Sequence, residues 1–211
     1  MSLAAPARTD HVVKLLVTGP FAAGKTTLIS SISATPVVDT DVATTGDEAA
    51  VKARTTVAVD FGTYQVADEA GQVDLLLFGT PGQPRFQFMT DVMKGSVDAV
   101  ISVVDASDES THPAAGVAMR ALQHDLHAPL VVAVNRCDDQ RHADEIARRM
   151  GTLASEPVVA CHLIRPDDGR DVIIAALLAA LDRLERPGAP PWRTPLTRVI
   201  DAIAAQHAEA A

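Results

Sequence analysis

The chain has 211 residues and a formal net charge of −9 at pH 7, and 47% of its residues are hydrophobic while 21% are charged. This composition is ordinary for one globular domain with a sizeable core, and it excludes wholesale disorder. An acidic chain is also a poor general binder of nucleic acid or anionic membranes, although a local basic pocket for one phosphorylated ligand is compatible with it.

Cys137 and Cys161 are the only cysteines, so the chain has neither a disulfide framework nor a four-cysteine zinc site. No apolar run reaches the roughly 18 residues of a membrane span, and neither a signal peptide nor a cysteine for prenylation is recognisable. We therefore expect a cytoplasmic protein without a direct membrane anchor.

Short apolar strands alternate with helices along the chain. The first predicted strand, residues 12–18, is rich in β-branched residues and stops at Gly19, as buried strands do. A polar, threonine-rich loop over residues 35–55 follows the first helix. Because strands separated by helices form a mainly parallel sheet covered on both faces, this order predicts an α/β fold. The other predicted strands cover residues 57–66, 73–78 (paired around a turn at 68–71), 97–104, 130–134 and 157–160, and the predicted helices cover residues 25–33, 113–126, 143–150 and 172–184.

The chain is expected to have three parts: a flexible N-terminus over residues 1–10, one domain over residues 11–186, and a C-terminal extension over residues 187–211. The extension opens with the helix-breaking run PGAPP. Beyond that run, Leu196, Val199, Ile200 and Ile203 recur at helical spacing and predict one amphipathic helix. Its apolar face either packs back on the domain, which we favour, or binds a partner.

A complete phosphate-binding motif, G-x-x-x-x-G-K-T, lies between the first strand and the first helix and has the sequence GPFAAGKT. Glycines let such a loop curl so that several backbone N–H groups and the helix N-terminus face the phosphates. In this chemistry Lys25 reaches the β- and γ-phosphates and the hydroxyl of Thr26 ligates Mg²⁺. The expected architecture is therefore the three-layer sandwich of P-loop NTPases, with a mostly parallel six-stranded sheet and helices on both faces. The candidate phosphate-binding residues are Gly19, Ala22, Ala23, Gly24, Lys25, Thr26 and Thr27.

The base is indicated by the sequence NRCD, which ends the apolar strand LVVAV about 110 residues later. The carboxylate of Asp138 can accept hydrogen bonds from the N1–H and the exocyclic amino group of guanine. Adenine presents an acceptor at N1 and no amino group at C2, so it would leave this carboxylate unpaired, a mismatch on the scale of ~10⁴-fold discrimination. Asn135 would tie this loop to the phosphate loop or to the base, and the stem of Arg136 would cover the base face.

With these motifs in this order, the sequence resembles the Ras-like small GTPases over residues 11–185. It is most similar to their bacterial conservon branch, the CvnD-type GTPases, which are encoded with roadblock-type proteins. The run GTPGQ at residues 79–83 resembles the second switch of that family, and residues 94–101 resemble the segment leading into its fourth strand.

The resemblance implies further site residues. Gly82 would sense the γ-phosphate through its N–H, and Gln83 would orient the attacking water. The first-switch threonine that completes the Mg²⁺ shell would be Thr56, with Thr55 as the alternative. By this resemblance the catalytic set is Gln83, Lys25 and Thr56, and the metal ligands are Thr26 and Thr56.

Three positions depart from the family pattern. Gly79 stands where Ras-like proteins usually have an aspartate that holds Mg²⁺ through water, which puts metal affinity and hydrolysis in doubt. Pro81 should stiffen the switch. The usual base-supporting S-A-K is replaced by Ala160-Cys161-His162, so that a backbone N–H near Cys161 would contact the guanine carbonyl.

The function expected from this resemblance is a GTP- and GDP-binding switch in bacterial signalling, with Mg²⁺ and slow hydrolysis that a roadblock/LC7-type partner stimulates. The alternative that Gly79 favours is a scaffold that holds the nucleotide and barely hydrolyses it.

Overall fold

The computed structural model describes residues 9–33, 60–68, 71–82, 87–184 and 193–209. In these ranges six strands and six α-helices follow one another, with short 3₁₀ turns at Lys94–Ser96 and Glu109–Thr111. The strands are β1 (Thr9–Thr18), β2 (Asp60–Asp68), β3 (Gly71–Gly79), β4 (Ala99–Asp105), β5 (Leu130–Asn135) and β6 (Val158–Cys161). The helices are α1 (Lys25–Ile32), α2 (Gln87–Met93), α3 (His112–Asp125), α4 (Gln140–Met150), α5 (Pro166–Leu184) and α6 (Arg193–Glu209).

The six strands form one sheet in the order β2-β3-β1-β4-β5-β6, in which all neighbours are parallel except the antiparallel pair β2 and β3. The carboxyl ends of the five parallel strands therefore meet at one edge of the sheet, where α/β folds place their ligands. Strand β2 runs the other way, so its first residue, Asp60, lies at this same edge opposite Gly79. The predicted α/β sandwich with a mostly parallel six-stranded sheet is confirmed.

Each face of the sheet is covered by helices because its strands are apolar on both sides. Strand β1 illustrates this: Val13, Leu15 and Val17 belong to the core beneath α1, α5 and α6, whereas Leu16 belongs to the core beneath α3 and α4. Strands β4 and β5 are buried along their whole length. Such continuous burial is typical of central parallel strands.

The C-terminal helix α6 packs back on the domain, as we favoured from its spacing. Val199 and Ile203 are completely buried in the core that α1 and α5 share, and α6 contacts α5 together with β2 and β3. The helix-breaking run at residues 187–191 and the side chain of Leu196 lie outside the described part of the chain.

Some element bounds differ from the predicted ones for local reasons. Strand β1 begins at Thr9, inside the segment expected to be flexible, because its first residues pair with β3 from Gln72 onward. Helix α4 begins three residues earlier than predicted, since the Asp139 carboxylate accepts a hydrogen bond from the Arg141 N–H at 2.8 Å and caps the helix. In the described ranges, no helix combines the length and hydropathy that a membrane crossing requires.

Candidate functional site

The phosphate loop between β1 and α1 is built from left-handed backbone. Gly19, Ala22 and Gly24 have φ values of 139°, 60° and 112°. A Cβ atom at Gly19 would lie 2.1 Å from the carbonyl oxygen of Val103, so only glycine fits there. The loop thereby curls around the N-terminus of α1, as phosphate binding through backbone N–H groups requires.

Lys25 opens α1 and folds its side chain over this loop. Its Nζ donates hydrogen bonds to the carbonyl oxygens of Gly19, at 3.0 Å, and Pro20, at 2.6 Å. Burial lowers the pKa of this ammonium group to about 8, against the opposing attraction of Asp60. The group is still mostly charged at neutral pH and lies at the rim of the phosphate loop.

Asp60 is the site residue that the sequence analysis missed. Its Oδ2 accepts a hydrogen bond of 2.5 Å from the hydroxyl of Thr26, the predicted Mg²⁺ ligand. It faces Gly79 across the β2–β3 pair, and a Cβ atom at Gly79 would lie only 2.8 Å from the Cβ of Asp60. A carboxylate therefore does stand beside Thr26, but it comes from the neighbouring strand.

A sequence signal for Asp60 existed. The hairpin pairs Asp68 with Gly71, and counting outward from that pair without a bulge brings Asp60 opposite Gly79. The structure thus corrects the expectation that the absence of an aspartate at position 79 leaves the site without a carboxylate.

The second switch begins against the phosphate loop. A Cβ atom at Gly82 would lie 2.4 Å from the backbone nitrogen of Phe21, and the Thr80 N–H donates to the Val17 carbonyl at 2.9 Å. Gly82 therefore lies directly against the phosphate loop, and its role as a γ-phosphate sensor stays a prediction. The predicted catalytic residues Gln83 and Thr56, and the alternative Thr55, lie outside the described residues and stay predictions.

Asn135 joins three loops at the end of β5. Its Nδ2 donates to the Ala23 carbonyl at 2.8 Å, and its Oδ1 accepts from the N–H groups of Arg136 and Leu163 at 2.9 and 3.0 Å. The side chain is buried, so each of these bonds forms in a medium where an unpaired partner would be costly. Of the two roles predicted for Asn135, the structure shows the tie to the phosphate loop.

The loop after β5, residues 135–138, is predicted to read the base, and it carries two exposed side chains. Arg136 has a left-handed φ of 58°, and its guanidinium group pairs with Asp105 at the end of β4. The side chain of Asp138 is 69% exposed and stands beside a cleft of about 530 Å³ between the loops that follow β4 and β5. The side chain of Thr27 is exposed on the first turn of α1.

Cys161 lies inside β6, paired with Asn135 of β5. Its thiol is buried and donates to the Val134 carbonyl at 3.5 Å, and burial raises its pKa to about 12. Its side chain therefore takes part in packing, and a base contact through its backbone stays a prediction. The loop directly after it, residues 162–165, is the one that faces Asp138 and Asn135.

The metal expected here is Mg²⁺. The described residues contain no group of three or more histidine, cysteine, aspartate or glutamate side chains that could hold an ion by itself. Mg²⁺ at a nucleotide takes one or two protein oxygens, and its other ligands are phosphates and waters. The adjacent hydroxyl of Thr26 and carboxylate of Asp60 supply oxygens of this kind, so the residues present fit the ion.

Comparisons with known proteins agree with this geometry. A family model described as "conserved hypothetical ATP binding protein" matches residues 36–159. The Ras-related protein Rab-13 of Bos taurus is 26% identical over 151 residues, which cover 67% of this chain and 68% of that protein. The Ras-related protein RABA5e of Arabidopsis thaliana is 27% identical over 136 residues, 62% of this chain and 56% of its own.

A solved structure shows the same fold. The small GTPase Arl6 (BBS3) of Trypanosoma brucei, with the bound nucleotide analogue GppNp, superposes with a TM-score of 0.59 at 19% identity. The match covers 80% of this chain and 97% of that one. The fold of this protein is thus that of the small GTPases.

Proposed function

The chain belongs to the family of conserved hypothetical ATP-binding proteins, and we propose that it is a guanine-nucleotide switch that binds GTP and GDP with Mg²⁺. The observation that carries the proposal is the tie between Asn135 and Ala23, which fixes the loop bearing Asp138 to the phosphate loop. One rigid unit then presents a phosphate cradle and a carboxylate, the acceptor that guanine needs.

The family description names ATP, but the chemistry of Asp138 favours guanine. A carboxylate offers only acceptors, and guanine presents two donors side by side whereas adenine presents an acceptor at N1. Adenine would offer the Asp138 carboxylate no donor at N1 or C2, so it would lose the two hydrogen bonds that guanine makes. The structural neighbour Arl6 is named a small GTPase and the Rab-13 relative a Ras-related protein, which supports the same base.

Mg²⁺, when bound, would neutralise charge on the β- and γ-phosphates. Thr26 and Asp60 would hold it, the carboxylate acting directly or through a water molecule. Gly82 would follow the γ-phosphate through its backbone N–H, and Gln83 and Thr56 would complete the switches.

We further propose that this switch acts in bacterial signalling and hydrolyses GTP slowly. A roadblock/LC7-type partner would stimulate the hydrolysis. The rival reading, a scaffold that barely hydrolyses its nucleotide, rested on Gly79. Because Asp60 places a carboxylate beside Thr26, that argument for the scaffold loses its basis.

Competition for a fluorescent GDP analogue tests the proposal. Unlabelled GTP and GDP should displace it at concentrations ~10³-fold or more below those of ATP and ADP. The Asp138→Asn variant should lose most of this preference, and Asp139→Asn, the neighbouring exposed carboxylate, serves as its matched control. Displacement by ATP as readily as by GTP would refute the guanine assignment. Single-turnover phosphate release in wild type and Gln83→Ala then separates the switch from the scaffold.

A further inference from the structure

The loop between β6 and α5 presents two side chains to the carboxylate of Asp138. Nε2 of His162 lies 3.0 Å from Oδ2, and Nη1 of Arg165 donates a hydrogen bond to Oδ1 at 3.1 Å. Each oxygen of the base-reading carboxylate therefore has its own basic neighbour. We call His162 and Arg165 the carboxylate clamp.

The clamp is itself fixed to the domain. The His162 N–H donates to Oδ2 of Asp168 in the first turn of α5 at 2.6 Å, and the Arg165 N–H donates to the His162 carbonyl at 2.7 Å. Between them, Leu163 donates its N–H to Asn135. The loop is thus anchored to α5 on one side and to Asn135 on the other, so it holds its side chains in place relative to the base-reading loop.

The imidazole of His162 approaches Asp138 through its Nε2 atom. Its Nε2 is excluded from solvent and has no hydrogen-bond partner within the described residues; its approach to Asp138 has the distance of an ion pair without the alignment of a hydrogen bond. A buried imidazole nitrogen without a partner is unfavourable. Its placement against Asp138 is therefore better explained by the carboxylate than by local packing.

The clamp leaves room for a base. An ionised carboxylate has about four acceptor positions on its two oxygens, and the hydrogen bond from Arg165 uses one of them on Oδ1. The side chain of Asp138 is 69% exposed, so the remaining positions face outward. Although partial desolvation opposes it, the hydrogen bond from Arg165 and the proximity of His162 hold the pKa of Asp138 below its usual range, which keeps it an acceptor.

We propose that His162 and Arg165 are positioning residues for base selection, which orient the Asp138 carboxylate toward the N1–H and the exocyclic amino group of the bound purine. This inference rests on the proposed guanine specificity. Its consequence is specific: loss of the clamp should weaken recognition of the exocyclic amino group more than it weakens binding of the rest of the nucleotide.

Inosine nucleotides isolate that contact, since hypoxanthine differs from guanine only in lacking the exocyclic amino group. The affinities of GDP and IDP would be measured by competition for wild type, His162→Ala, Arg165→Ala and Arg165→Lys at saturating Mg²⁺. Arg149→Ala is the matched control, because Arg149 forms an exposed ion pair with Glu145 on α4, and its loss should change neither affinity.

We expect the ratio of GDP to IDP affinity to fall about tenfold in Arg165→Ala, the range for a charge-assisted hydrogen bond, and by a smaller factor in His162→Ala, whose Nε2 is not aligned for one. IDP keeps only the N1–H contact with Asp138, so its affinity should fall less than that of GDP. Arg165→Lys should recover part of the ratio. A proportional loss of both affinities would mean that the loop is only structural, and an increase in GDP affinity would mean that the clamp competes with the base; either result overturns the proposal.

A failure of the proposed function would give a different result from a failure of the clamp proposal. If the wild type itself prefers ADP, or binds GDP and IDP equally, then guanine recognition by Asp138 is wrong before any variant is considered. Thermal melting of each variant shows whether its fold is intact, and the ratio of two ligands on one preparation is independent of the fraction that is active.

Discussion

Lys25 has an unusual electrostatic position among the residues of the site. Its ammonium group is held by two carbonyl oxygens and surrounded by protein, and burial lowers its pKa to about 8. Phosphate groups next to it would favour the charged form and raise the pKa again. Nucleotide binding and protonation of Lys25 are therefore linked.

The sign of this linkage gives a prediction. Below about pH 8 Lys25 is already charged, so binding takes up no proton. Above it, binding must first protonate the amine, and GDP affinity should fall by up to about tenfold per pH unit until the raised pKa is reached. Calorimetric titrations in buffers of different ionisation enthalpy measure the proton uptake directly. Lys25→Arg keeps a cation that does not titrate, so uptake that persists in this variant would assign the proton to another group.

Positions 60 and 79 are coupled, because a side chain at position 79 has no room beside Asp60. A side chain at position 79 would press on the Cβ of Asp60 at 2.8 Å and on Cδ1 of Ile29 at 2.7 Å. The carboxylate beside Thr26 can therefore come from position 60 or from position 79, but not from both without displacement of neighbouring atoms.

Asp60→Asn should weaken the Mg²⁺ dependence of GDP binding by about tenfold, because the carboxylate near the ion becomes a neutral amide. Gly79→Asp alone should destabilise the fold by about 1–3 kcal/mol through overpacking. The double variant Asp60→Gly/Gly79→Asp should recover much of both properties. Mg²⁺ titrations and urea unfolding measure them, with Asp74→Asn on β3 as the control. If Asp60→Asn leaves the Mg²⁺ dependence unchanged, Asp60 is not part of the metal site.

Among the elements, those with uninterrupted apolar runs were predictable from sequence. Strands β1, β4 and β5 carry such runs, and the structure places them at the centre of the sheet. Helix α5 begins at Pro166 and not at residue 172 as predicted. Its first turn is polar, so it shows no apolar helical period in the sequence. Helix α2 was not predicted, because seven residues of mixed character give no clear period.

The site residues divide in the same way, into those that a sequence pattern predicts and those that it does not. Contiguous motifs predicted the phosphate loop and the loop proposed to read the base, because their residues are neighbours in sequence. The carboxylate clamp acts between two loops and depends on side-chain directions that no local pattern contains, whereas Asp60 follows from the register of a hairpin whose turn was predicted. The hairpin register alone would have revealed Asp60.

Helix α6 is an integral element of the domain. Val199 and Ile203 are completely buried in the core shared with α5. Ile203→Ala should lower the free energy of unfolding by about 2–5 kcal/mol, and Val199→Ala by somewhat less, since both leave cavities. Asp201→Ala, on the exposed face between them, should change it by no more than about 0.5 kcal/mol. Urea unfolding measures these values. Equal small effects at all three positions would show that α6 does not belong to the cooperative unit.

At the scale of the whole molecule, one buried amide connects the two halves of the nucleotide site. Asn135 bonds the phosphate loop after β1, the base-reading loop after β5 and the loop after β6. The three loops lie on strands that are not all adjacent in the sheet, and the carboxyl ends of those strands bring them together. We therefore expect Asn135 to couple base contacts at the loop after β5 to phosphate contacts at the loop after β1.

Asn135→Ala should uncouple these halves. It leaves the Ala23 carbonyl and the Leu163 N–H without their partner, at about 1–3 kcal/mol for each buried group. In wild type, GDP at a hundredfold excess over Kd should stabilise the fold by about 2.7 kcal/mol and raise its melting temperature. In Asn135→Ala this rise should largely disappear. Gln123→Ala removes a comparable amide, which joins α3 to Gly151 and Glu156 at the opposite edge of the sheet. It should lower the melting temperature and keep the GDP response, whereas loss of the response in both variants would mean that general stability, and not Asn135, sets nucleotide affinity.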